Sequence, residues 1–158
     1  MMRDVYANAQ HVVIWAGPDP EGRASTARDL IARLSELFTD SVCADSPNSK
    51  HRAFPRDSAL AEMGLPPKAA PAWRHLEAMF SLTYFERIWI IQEVQAARSA
   101  TFLWGNVEIT WDDIESACLF ASWNSFYVSD GIGLGEAQLS LPAMQLDALF
   151  APYDRSYT

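Results

Sequence analysis

Trp89 and Glu93 stand four residues apart. On a helix that spacing puts both side chains on one face, one turn apart. A carboxylate held beside an indole sits in a locally low dielectric. There it can stabilise positive charge that develops in a reaction. A structural reading competes with this one. Gln92 and Glu93 can cap loop backbone or pair with Arg87, and a tryptophan such as Trp89 is commonly core.

The other chemistry-bearing residues form no clear constellation. His11, His51 and His75 are read in a strand, a loop and a helix, without metal-ligand spacing. Cys43 with His51 is either a thiol nucleophile with its base or two unrelated loop residues, and the spacing favours the second. Asp112, Asp113 and Glu115 are read as helix-start charges rather than a Mg²⁺ site. Gly131, Gly133 and Gly135 lack the flanking strand and helix of a phosphate loop.

Bulk properties narrow the partners. With 49% apolar and 20% charged residues, the chain of 158 has the composition of one folded domain with its own core. A net charge of −8 repels phosphate backbones and anionic lipid, so no nucleic acid and no membrane are expected as partners. Two distant cysteines, Cys43 and Cys118, make no disulfide framework. Met1 to Tyr6 does not read as a secretory signal, and no apolar run has transmembrane length. The expected location is cytoplasmic.

Several elements must position these residues. Residues 2–10 read as the end of a helix. His11 to Trp15 reads as a buried strand, stopped by Gly17 and Pro18. Asp19 is expected to cap a helix with Pro20 at its first position and Ala27, Leu30, Ile31, Leu34, Leu37 and Phe38 on its apolar face. Residues 39–68, with Pro47, Pro55, Pro66 and Pro67, read as a long surface loop with one helical turn near Ser58 to Met63. Pro71 should start a helix that carries Trp73, Leu76 and Phe80 on one side. Residues 85–98 are expected to be helical throughout. Gly105-Asn106 between two short β-like runs predicts a type II′ hairpin. Thr110 should cap a last helix with Trp111, Ile114, Cys118 and Ala121 buried. Residues 139–150 are expected to add one more helix.

Three blocks carry a resemblance. The first is Val5-Tyr6-Ala7 followed by Val12-Val13-Ile14-Trp15-Ala16-Gly17. The second is Tyr84-Phe85-Glu86-Arg87-Ile88-Trp89-Ile90-Ile91-Gln92-Glu93-Val94. The third is Trp104-Gly105 with Ile109-Thr110-Trp111. In this order they resemble the fungal HET (heterokaryon incompatibility) domain. The family's opening blocks, Leu-Ser-Tyr-x-Trp-Gly and Trp-x-Asp-x-x-Cys-Ile-x-Gln, are not present. The resemblance is therefore to a C-terminal portion, with residues 1–124 a partial HET domain and 125–158 a partly flexible extension.

The resemblance implies an α/β fold, helix-rich, with helices packed on a small sheet as an incomplete TIR-like layered domain. It implies self/non-self recognition and programmed cell death signalling, with protein partners or self-association. HET domains are similar to TIR domains, some of which cleave NAD with a helical glutamate that follows a tryptophan by four residues. On that likeness Glu93 is the catalytic candidate and NAD its substrate, with no bound cofactor or metal. Phe85, Arg87, Trp89, Gln92, Gly105 and Trp111 are the motif and pocket residues. A non-catalytic remnant or interaction module is the alternative.

Overall fold

The computed structural model describes residues 8–43, 55–86 and 97–123. Chain order is β1 (Val12–Gly17), α1 (Ala24–Cys43), α2 (Asp57–Glu62), α3 (Pro71–Phe80), one 3₁₀ turn (Thr83–Glu86), β2 (Ala100–Trp104), β3 (Val107–Thr110) and α4 (Trp111–Trp123). The strands form one mixed sheet in the order β1-β2-β3. β1 runs parallel to β2, from Val12 opposite Ala100 to Trp15 opposite Leu103. β3 returns antiparallel to β2. The small, helix-rich α/β fold expected from the sequence is therefore present.

Alternation along the strands decides what is buried. Ile14, Phe102, Trp104 and Ile109 point into the core. Against them α1 contributes Ala27, Leu30, Ile31 and Leu34, α3 contributes Trp73, Leu76, Met79 and Phe80, and α4 contributes Trp111, Ile114, Cys118 and Ala121. These are the stripes that helical periodicity predicts. α1 packs on both α3 and α4.

β1 departs from expectation. It is not buried on both faces: Val13 is 60% and Trp15 66% exposed. An unbroken apolar run cannot reveal that only one face is covered.

α1 also starts later than Pro20. The chain turns first, with Gly22 at φ +66° and its N–H donating to the Asp19 carbonyl. Asp19 still caps the helix at a distance, its Oδ2 accepting the Ala24 N–H at 2.7 Å.

The stretch read as surface loop is partly anchored. α1 continues through Cys43, and Leu60 and Leu65 are buried. Arg33 donates from Nε and Nη2 to the Met63 carbonyl, at 3.2 and 2.7 Å. Trp73 Nε1 donates to the Pro66 carbonyl at 3.2 Å. Two isolated leucines among prolines leave no periodic signal, and the partners that hold them are distant in sequence.

Of the helix expected over residues 85–98 only the ends are described, residues 87–96 lying outside the described residues, and those ends are not α-helical. Phe85 and Glu86 lie in the 3₁₀ turn, and Ala97 and Arg98 are outside any helix. The expected helices at residues 2–10 and 139–150 lie wholly or mostly outside the described residues, as do Gly131, Gly133 and Gly135.

At the start of α4 the Thr110 hydroxyl accepts the Asp113 N–H at 3.3 Å and donates to Asp113 Oδ2 at 2.7 Å. Ser35 Oγ donates to the other oxygen, Asp113 Oδ1, at 2.8 Å. Thr110 thus caps α4, and the Asp113 carboxylate holds the capping hydroxyl and ties α4 to α1. We expect Asp113→Ala to destabilise the chain by about 1–2 kcal/mol. Ser35→Ala should add little on top of it, a coupling that thermal denaturation of the two single variants and the double variant measures.

Candidate functional site

An open groove of about 510 Å³ lies where β1 and β2 end. The crevice at the carboxyl ends of strands is the usual ligand position in open α/β sheets. Its walls are Trp15, Pro18, Asp19 and Pro20 after β1, Gly22 and Ser25 at the start of α1, and Gly105, Asn106 and Val107 at the hairpin.

Two glycines build this corner. Gly105 has φ +58°, the positive value expected for the hairpin turn. Its N–H donates to the Gly17 carbonyl at 2.9 Å, which extends the β1–β2 contact beyond the strands. A Cβ on Gly105 would lie 2.9 Å from Asp19 Cβ, so the two loops touch at closest approach. Gly17 itself has φ +109° and follows a register shift after Trp15.

The groove's chemistry is limited and specific. Among the described residues no Lys, Arg, His or Cys lines it, so no described side-chain cation there pairs with a phosphate. Among the described wall residues Asp19 alone is ionisable, and the Ala24 N–H already engages its carboxylate. The positive end of α1 is thereby neutralised by the chain itself. What remains is an exposed indole for stacking, with the Ser25 hydroxyl and Asn106 amide for hydrogen bonds. Beside this corner Glu21 and Arg23 form an exposed ion pair. Hydrogen bonding to Arg23 lowers the Glu21 carboxyl below its ordinary range.

The motif residues divide into three groups. Gly105 lines the groove. Phe85 and Trp111 are buried, in an aromatic cluster centred on Phe85. Phe85 lies 5.1 Å from Phe80, 5.2 Å from Phe102 and 6.3 Å from Trp111, with the last pair nearly parallel. Tyr84 meets Phe85 and Phe102 edge-on. Arg87, Trp89, Gln92 and Glu93 lie outside the described residues. The structure therefore joins Phe85 to Trp111 and keeps both apart from the lining of the groove.

Other titratable groups are dispersed. His11 Nδ1 lies 2.8 Å from Ser99 Oγ. His75 Nδ1 is buried without a hydrogen-bond partner among the described residues. Cys43 is exposed and Cys118 buried, while His51 lies outside the described residues. Among the described residues no group of three His, Cys, Asp or Glu side chains could hold a metal. No described helix is long and apolar enough to cross a membrane. The groove itself was not foreseen. Its signals were Pro18-Asp19-Pro20 and Gly105-Asn106, which are separately only turn signals.

An α/β domain with these motif blocks defines a class that sequence comparison identifies. The chain matches the family "Heterokaryon incompatibility protein (HET)" over residues 1–93. It belongs to the HET family. The match contains the first motif block and the second up to Glu93, and ends before Trp104-Gly105 and Trp111. No curated protein and no solved structure matches the chain.

Two measurements follow. Gly105→Ala combines unfavourable φ with the Asp19 contact and should cost about 1–3 kcal/mol in chemical denaturation. Gly22→Ala, with φ +66° but nothing within 4 Å, should cost less. Separately, burial first and the Asp112 charge second raise the Glu115 carboxyl above its ordinary 4.5. The ionised form is disfavoured in the folded state, so the penalty is full above the folded pKa and vanishes as pH falls through 4.5. Glu115→Gln should therefore raise Tm at neutral pH and leave it unchanged in acid well below that value.

Proposed function

We propose that this chain is a fungal signalling module of self/non-self recognition, whose engagement leads to death of the cell that contains it. Membership of the HET family over residues 1–93 carries the reading. The activity that fits it is cleavage of NAD inside the cell. Water replaces nicotinamide at the ribose carbon, the N-glycosidic bond breaks, nicotinamide leaves as a neutral base, and the water's proton passes to solvent. Positive charge grows on the ribose ring as that bond stretches. On this reading Glu93 supplies the compensating carboxylate, with Trp89 four residues before it in the sequence as the apolar neighbour that lowers the dielectric.

A second reading is a non-catalytic interaction module. The exposed apolar residues Val13 and Trp15 favour it. Cell death would then follow from association alone.

Induced expression in a filamentous fungus separates the two. The first reading expects loss of viability together with loss of NAD, and Glu93→Ala should slow NAD loss by about 10²-fold or more. Death with NAD unchanged supports the interaction module. Equal NAD loss in the variant removes Glu93 from the chemistry, and full viability throughout rejects the signalling reading.

A further inference from the structure

The groove at the ends of β1 and β2 holds polar side chains with unused hydrogen-bonding capacity. Asp19 spends Oδ2 on the Ala24 N–H, and its Oδ1 has no partner among the described residues. The Ser25 hydroxyl and the Asn106 amide are likewise without one. Beside them stands the indole of Trp15, 66% exposed. Backbone fixes this frame. The Gly105 N–H donates to the Gly17 carbonyl at 2.9 Å, which holds the hairpin of Asn106 against the loop of Asp19. Pro18 and Pro20 restrict that loop on both sides of Asp19. The volume of about 510 Å³ is that of a small-molecule site.

Charge narrows what fits. An anion would meet the Asp19 carboxylate and, among the described walls, no side-chain cation. A cation would meet the N-terminal end of α1, whose partial positive charge already occupies Asp19. A neutral ligand meets neither penalty. It must still donate a hydrogen bond, because a carboxylate oxygen only accepts. A hydroxyl donates to Asp19 Oδ1 without bringing charge, and further hydroxyls can donate or accept at Ser25 and Asn106. The indole face is the negative side of the ring quadrupole, and it suits a flat surface of polarised C–H bonds. A sugar ring combines these features, with C–H groups on its faces and hydroxyls around its rim.

We propose that this groove binds a neutral sugar ring, stacked on Trp15 and hydrogen-bonded through its hydroxyls to Asp19, Ser25 and Asn106. One small ring in an open groove leaves much of its surface in water, so the affinity is millimolar. This inference does not rest on the signalling reading.

Two-dimensional NMR of the full chain tests it, read at the Trp15 indole N–H and the Asn106 side-chain amide. The probes are D-glucose, D-mannose, D-ribose and N-acetyl-D-glucosamine. At least one of them should shift both signals to saturation. The terminal phosphate ester of the sugar that binds best should bind about tenfold more weakly, because it brings negative charge to Asp19. Choline, a cation, and uracil, a stacking ring without hydroxyls, should also bind more weakly. Trp15→Leu should raise the dissociation constant by about tenfold or more. Val13→Ala, at an exposed position on the same strand outside the groove, should leave it unchanged. The proposal is overturned if none of the sugars shifts Trp15 to saturation, or if the phosphate ester, choline or uracil binds as tightly. Binding that survives Trp15→Leu, or that Val13→Ala weakens equally, overturns it too.

Discussion

Parallel pairing of β1 with β2 is the constraint on which the other elements depend. Parallel neighbours cannot be joined by a hairpin, and the connection must cross back over the sheet. Here α1, α2, α3 and the 3₁₀ turn all lie within that connection. The core helices α1 and α3 are therefore held by a strand pair whose members are far apart in sequence, while α4 follows β3. The pair is bounded by two hydrogen bonds, Val12 N–H to Ser99 at one end and Gly105 N–H to Gly17 at the other. The second also shapes the groove, because it brings the hairpin against the Pro18-Asp19-Pro20 loop.

The family signature acquires two physical roles. Phe85 and Trp111 are packing residues: Phe85 lies against Phe102 on the inner face of the sheet and stacks with Trp111. Gly17 and Gly105 are backbone residues, chosen for positive φ and for contact without a side chain. Both roles explain why these residue types suit their positions without reference to catalysis. The chemical candidate of the signature, Glu93, follows the 3₁₀ turn that anchors Phe85.

Legibility in the sequence followed the strength of local signals. The apolar stripes of α1, α3 and α4 were readable because helical periodicity survives in single residues such as Leu30, Trp73 and Ile114. The β2–β3 hairpin was readable from Gly105-Asn106. The delayed start of α1 was not, since Asp19-Pro20-Glu21 is a valid helix opening and only Gly22 diverts it. The anchoring of Leu60 and Leu65 was hidden because Arg33 and Trp73 supply it from elsewhere. The exposure of Val13 and Trp15 was hidden because an apolar strand does not announce which face is covered. Of the candidate site, Gly105 was legible as a motif residue, but the groove it lines depends on contacts between loops distant in sequence.

Native-state hydrogen exchange at the Val12 and Gly105 amides tests the central claim, that one strand pair closed at both ends organises the domain. Both amides should exchange slowly and respond together to low denaturant, with the free energy of global unfolding. Exchange of the Gly105 amide as fast as that of an unprotected turn, while Val12 remains slow, would contradict it.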